Sequence, residues 1–332
     1  MQSKIKIFPF PTGLHSHAMV RVQRALSLPV QINRQNDFQI TASIERANII
    51  ILHVIGFDAI DLAKQYQSQG KQFIVIQYCG IAGEDLTPWK WLWTHSLFVW
   101  SYYDLSSLAS EWGFTFYYAP LGIDPIFTQP PSQPITRRNR IMTSGFVSHS
   151  SQEPIQEVWL AAERLGIEVV HLGPENVMGV YHTPPNTLFI GGIGDSGLRD
   201  YYHTCKWVSA LRHVEGFEMG AIEGLSCGAR PICFHRDEHI QWFGDHPIYI
   251  EEKSGKNLVD ILEWLIKGEI NREYDSYSIV RDKEIEEVRM KFDWPTIVKG
   301  FYSTLRHKLA HTTISVKQSP INLPTIDYLE VL

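Results

Sequence analysis

Short apolar runs alternate along the chain with stretches whose apolar positions recur at helical spacing. That alternation reads as βα units wrapped around parallel sheets. Residues 4–8 (Lys-Ile-Lys-Ile-Phe) predict a strand, Pro9, Pro11 and Gly13 a loop, and 18–28 a helix. A buried strand over 48–55, a helix over 59–67 and a strand over 72–76 follow. Strands over 96–101 and 114–118 then flank a helix over 105–111. The proline-rich stretch 119–134 breaks the pattern and reads as a boundary between folding units.

A second alternation starts beyond it. Strands are expected over 140–145, 168–172, 187–190, 207–211 and 230–234, with helices over 156–165, 198–205 and 219–226. After Asn257 the pattern turns helical, with candidates over 258–267, 285–291 and 297–309. The tail after Thr312 is polar and lacks periodicity, and no internal repeat is found. A chain of 332 residues exceeds what one hydrophobic core usually organises, so two domains are expected. We place them at 1–125 and 126–293, with a helix and tail over 294–332.

Composition removes several classes of protein. Hydrophobic residues are 44% and charged residues 20%, which excludes a disordered chain, a collagen-like fibre and a small disulfide scaffold. The net charge of −6 argues against a general nucleic-acid coat. The first 128 residues hold nine basic and nine acidic side chains, so that half is neutral. Cys79, Cys205, Cys227 and Cys233 show neither a C-x-x-C pair nor zinc spacing and read as reduced thiols. The first residues run into a strand pattern without the apolar stretch expected of a signal peptide, and the longest apolar run, 47–57, is interrupted by His53 and too short for a bilayer. A cytoplasmic protein without stable membrane insertion is expected.

The most informative segment is Arg212-His-Val-Glu-Gly-Phe-Glu-Met-Gly-Ala-Ile-Glu-Gly-Leu-Ser-Cys-Gly-Ala-Arg-Pro-Ile. A strand ends near Leu211, a glycine-containing loop follows, and a helix begins near Glu218. The free N–H groups at such a helix start suit an anionic oxygen, typically of a phosphate. Gly216 and Gly220 let a ligand approach the backbone. Glu215 and Glu223 flank the helix start; carboxylates there suit sugar hydroxyls rather than the phosphate itself. The plain alternative is a solvated helix face with an acid favoured by the helix dipole.

This segment resembles the E-x7-E motif of retaining GT-B glycosyltransferases of the family-4 type. Glu215 and Glu223 fall on the two glutamates, Gly216-Phe217 on the G-F pair, and Cys227-Gly228 with Pro231-Ile232 on the C-G-x-P-V tail. Leu121-Gly-Ile-Asp-Pro-Ile-Phe resembles the stretch that opens the inter-domain linker, and Ser144-Gly-Phe-Val the start of the donor domain. Pro11-Thr-Gly-Leu-His is similar to a shortened first-strand glycine loop, and Ile76-Gln-Tyr-Cys-Gly to a strand end near the reaction centre. The resemblance implies an α/β fold of two Rossmann-like domains facing a cleft. It implies transfer of a sugar with retention, without a required metal or resident cofactor. The donor would be a nucleotide sugar, a UDP-sugar first, and the acceptor a glycan or lipid-linked sugar, with a hydroxymethylated DNA base or a non-catalytic binding module as alternatives. Glu215 would meet the donor sugar and Glu223 the ribose, and the last helix would cross back to the first domain. Gly13, Gly145, Arg212, Gly216, Phe217, Glu218, Met219 and Gly220 would line the donor site.

The chain departs from the pattern in two places. The Arg and Lys that the family supplies just after the Ser144-Gly145 element are absent from 146–151, where His149 or Arg212 would substitute. Cys79 stands where the family has a histidine, which leaves His53 as the polar alternative in that cleft and, with Glu215, a catalytic candidate, against the reading of a satisfied core histidine. Five of the ten Trp (Trp89, Trp91, Trp93, Trp100, Trp112) fall in one segment. Core packing is the favoured reading for them; a stacking platform for a sugar or base is the alternative.

Overall fold

The computed structural model describes residues 4–10, 17–27, 37–78, 85–144, 153–175, 180–213, 216–252, 258–271 and 282–311. The first half contains β1 (Ile5–Phe8), α1 (His17–Ser27), β2 (Phe38–Ile40), β3 (Ile49–Val54), α2 (Asp58–Ser68) and β4 (Gln72–Gln77). It continues with α3 (Lys90–His95), β5 (Val99–Ser101), α4 (Ser106–Trp112) and β6 (Phe116–Tyr118). These strands form one parallel sheet in the order β2-β1-β3-β4-β5-β6. The second half contains β7 (Arg138–Ser144), α5 (Ile155–Arg164), β8 (Glu168–Leu172), β9 (Thr187–Ile190), α6 (Asp195–Thr204) and β10 (Cys205–Ala210). Then come α7 (Met219–Ser226), β11 (Arg230–Phe234), α8 (Asp237–Phe243), β12 (Ile248–Ile250), α9 (Leu258–Asn271), α10 (Asp282–Lys291) and α11 (Trp294–Ala310). Its parallel sheet runs β12-β11-β10-β7-β8-β9. Two Rossmann-like units therefore make the expected α/β fold, the second with the strand order of dinucleotide-binding proteins.

Burial explains these elements. Ile49, Ile50, Ile51, Leu52 and Val54 are all buried, as a parallel strand covered on both faces requires. On α1 the buried Met19, Val22, Ala25 and Leu26 form one stripe at helical spacing. The short β2, β12, α3 and α8 were not expected from the pattern. β5 and β6 are equally short but sit in longer apolar runs, whereas β2 and β12 are bounded by polar or proline positions that leave no run to read. The tryptophans follow the packing reading, because Trp89, Trp93 and Trp100 are fully buried and Trp89 stacks on Trp93.

The chain crosses between the sheets twice, and the crossings lie side by side. Ile123 bridges to Asp293, and its N–H donates to the Phe292 carbonyl at 2.8 Å. Asp293 caps α11 by accepting the Thr296 N–H, with Pro295 in the first turn. The apolar face of α11 (Trp294, Ile297, Val298, Phe301, Tyr302, Leu305) is buried. It docks on the first unit: the Tyr302 hydroxyl donates to the Leu26 carbonyl at 2.8 Å, and the Tyr117 hydroxyl to that of Ile297 at 2.6 Å.

At the crossing, the Trp294 indole fills the space where a side chain on Gly122 would stand. Gly122→Ala is therefore expected to lower the unfolding free energy by about 1–3 kcal/mol, as overpacking does. Urea denaturation checks this; an unchanged midpoint would show that the indole moves aside freely.

Candidate functional site

The second sheet reverses its strand order between β7 and β10, and ligands of open α/β sheets bind in the crevice beyond such a switch point. Ser144 ends β7, Arg212 follows β10, and Glu218 stands just before α7, so these three residues meet there. Arg212 donates to the Ser144 hydroxyl at 3.2 Å, and its Nε lies 3.6 Å from a Glu153 oxygen and 3.8 Å from a Glu218 oxygen. Both glutamates are buried, Glu153 at 1% and Glu218 at 4% exposure. Burial pushes the Glu153 carboxyl up to about 8, against the pull of Arg212, and pushes Glu218 up as well. The Glu153 carboxylate also accepts the Ser144 backbone N–H.

A second cation stands behind the first. Arg236 donates to both oxygens of Glu252, at 2.8 and 2.6 Å, and to the His213 carbonyl at 2.5 Å. The His213 ring meets Glu252 at 2.7 Å and stacks on Phe234. His213 is thus committed to its neighbours, whereas Arg212 faces the crevice with two carboxylates around it.

Glu218 has extended backbone and caps α7 without a side-chain hydrogen bond. Met219 and Gly220 are partly exposed, while Gly216 and Phe217 are buried. Phe217 packs between Tyr102 of the first unit and Phe243 and Phe292 of the second. A side chain on Gly216 would collide with the Tyr103 ring, so the glycine here admits a residue of the first unit. At the other end of α7, Gly228 takes a left-handed φ of 82°, and Arg137 donates to the Cys227 carbonyl at 2.7 Å. The Cys227-Gly228 pair therefore ends a helix. Cys205, Cys227 and Cys233 are buried free thiols.

Glu223 lies inside α7 and is buried. One of its oxygens pairs with Arg21 of α1, and the other accepts the Tyr202 hydroxyl at 3.3 Å. Arg21 also faces Asp124 of the crossing at 3.2 Å and Asp195 of α6 at 3.4 Å, and it lies over the Phe127 ring. Three carboxylates thus surround one buried guanidinium between the two units.

In the first unit, His53 of β3 uses both ring nitrogens. Nε2 donates to the Pro9 carbonyl and Nδ1 accepts the Tyr78 hydroxyl, both at 2.9 Å. A carbonyl only accepts, so this tautomer follows. Burial lowers its pKa to about 4. Beyond β3, Ile55 and Phe57 are exposed, and Phe57 stacks on Trp89 at 4.5 Å.

Gly13, Cys79, Gly145, His149 and Glu215 lie outside the described residues. Among the others, the structure brings Arg212 and Glu218 together at the switch point, leaves Met219 and Gly220 at the helix start, and puts Glu223 one turn further in. Gly216 and Phe217 lie at the seam with the first unit. Sequence reasoning missed Glu153, Arg21 and Tyr202. Arg21 left a trace, as a charge beside the apolar stripe of α1; Glu153 left none. Among the described residues no cluster of His, Cys, Asp and Glu could hold a metal ion, and no helix is long and apolar enough to cross a membrane.

No protein-family model matches the chain, and no curated protein sequence matches it. Solved structures do. Sucrose-phosphate synthase from Thermosynechococcus elongatus superposes with a TM-score of 0.66 at 11% identity, over 94% of this chain and 100% of that one. HepE from Anabaena, in complex with UDP and glucose, superposes with 0.65 at 12% identity, over 91% and 100%. A Listeria monocytogenes protein assigned as a UDP-N-acetylglucosamine 2-epimerase superposes with 0.58 at 11% identity, over 94% and 98%. The fold of this chain is accordingly that of the GT-B glycosyltransferases.

The His53 geometry yields a pH dependence. The unfolded chain protonates this histidine near 6.5 and the folded one near 4, so its neutral form stabilises the fold fully above about pH 6.5. That contribution, up to about 3 kcal/mol, is lost as pH falls through 4. In urea titrations between pH 7 and about pH 4, wild type is expected to lose more stability than His53→Gln. Parallel losses would show that His53 titrates normally.

Proposed function

We propose that this chain is a glycosyltransferase that takes a nucleotide sugar, a UDP-sugar first, at the switch point of its second sheet. The observation that carries the reading is the meeting of Arg212, Ser144 and the start of α7 in that crevice, where Arg212 and the helix start belong to the segment that resembles the E-x7-E pattern. The fold is shared with a protein solved with UDP and glucose. The diphosphate is received by the Met219–Gly220 helix start and Arg212, whose cation stabilises the charge that develops on the leaving group. Glu215 contacts the donor sugar.

Glu223 reads the ribose in exchange for Arg21. That exchange is electrostatically feasible because Asp124 and Asp195 keep the guanidinium compensated. The acceptor, a glycan or lipid-linked sugar, enters from the first unit beside Tyr78 and Phe57. In the reaction the bond from the anomeric carbon to the diphosphate oxygen breaks and a bond to the acceptor oxygen forms on the same face. The hydroxyl proton passes to the departing phosphate, and no metal is needed to balance the step.

Two measurements test the reading. UDP is expected to raise the stability of the folded chain by roughly 2.7 kcal/mol at a hundredfold excess over Kd, with GDP and ADP effective only at higher concentration. Thermal shifts with the three nucleotides and their sugars show this; no shift with any of them would contradict the donor site. Glu223→Ala is expected to weaken UDP at least tenfold, the equivalent of losing a hydrogen bond to a charged group worth about 1.5–3 kcal/mol. Unchanged affinity in the folded variant would remove Glu223 from the nucleotide. Product analysis separates transfer from epimerisation of the donor.

A further inference from the structure

The cluster around Arg212 has a charge problem. Glu153 and Glu218 reach the same Arg212 nitrogen, at 3.6 and 3.8 Å, and both are almost wholly buried. One oxygen of each, Oε2 of Glu153 and Oε1 of Glu218, is buried without a hydrogen bond. Arg236, the other cation near Glu218, is already held bidentately by Glu252. The His213 ring faces Glu252, and the Cys233 thiol near Glu218 is kept neutral by burial. Among the described residues, one negative charge would stand in excess in a buried place with both carboxylates ionised, which is strongly unfavourable. Two close carboxyls resolve such an excess by retaining a proton, as a pair rather than as individuals.

We propose that Glu153 and Glu218 hold one proton between them, and that the site at Arg212 takes up its anion linked to that proton. The linkage follows from charge. An anion drawn to Arg212 occupies the cation that both carboxylates depend on, so their affinity for the proton rises. By reciprocity the protonated pair binds the anion more tightly than the ionised pair does. Glu153 is then a positioning residue: it touches no reacting atom and acts through Arg212. The direction of its pKa, raised by burial, agrees with this geometry. The proposal rests on the reading of Arg212 as the anion contact of the donor site.

The experiment follows carboxyl resonances of the full chain with labelled glutamate across the pH range, using Glu153→Gln and Glu218→Gln to assign them. In wild type, one titration is expected above about pH 7, and it should vanish in either variant because the remaining carboxylate then has Arg212 to itself. Sulfate, which keeps its charge throughout, serves as the probe anion and should move that titration upward. Its affinity should fall by up to tenfold per pH unit above the midpoint in wild type and stay level in Glu153→Gln. Titration of both carboxyls below about pH 6 would overturn the shared proton. A titration unmoved by sulfate, whether sulfate binds or not, would overturn the linkage. Should no uridine nucleotide bind while sulfate still moves the titration, the donor reading fails and the proton-linked anion site stands.

Discussion

Phe217 sits between Tyr102, which follows β5 of the first sheet, and Phe243 and Phe292 of the second unit, and the position of the site depends on that aromatic seam. Trp242 extends it by donating to the Tyr102 carbonyl at 2.7 Å and packing on Tyr118. Aromatic contacts of this kind bury large apolar area with few rotatable bonds, so they fix orientation as well as adhesion. Gly216 carries the seam into the candidate site, because Tyr103 occupies the room a side chain would need. Moving one unit relative to the other would disturb the loop before α7 directly.

With the units held together apolarly, the buried charges near the seam must be paired, and two arginines do this in different ways. Arg21 gathers Asp124, Asp195 and Glu223 from the crossing and from two helices of the second unit. Arg212 gathers Glu153 and Glu218 within the second unit alone. Each cation is outnumbered by carboxylates, and buried carboxylates in excess are tolerated only with a proton or a further positive partner. Surplus acceptors are also what a sugar-binding site offers to hydroxyl groups. The absence of the Arg and Lys that the resemblance led one to expect after Ser144 thus has a physical counterpart, since a carboxylate, Glu153, accepts the Ser144 N–H there.

The layered fold was legible because its main strands are nearly continuous apolar runs. Ile49–Val54 and Gln72–Gln77 declare themselves as buried parallel strands whatever surrounds them. Phe38–Ile40 and Ile248–Ile250 do not, since no longer apolar run surrounds them and their pairing is set by distant neighbours. The helix start before Met219 could be read from its glycines and flanking acids. The partners of those acids could not: Arg21 lies 202 positions before Glu223, and nothing local links them. Glu153 precedes Pro154 in what reads as an ordinary helix entry, and only the folded sheet brings it to Arg212.

The central claim is that a uridine nucleotide occupies the crevice beyond β7 and β10. Hydrogen exchange of the intact chain with and without UDP tests it by position. Slower exchange is expected in peptides covering 205–226 and 138–144, where on this proposal the N–H groups at the start of α7 and the end of β7 would meet the phosphates. Protection confined to 49–78 of the first sheet, or absent from 205–226 under saturating UDP, would contradict the account.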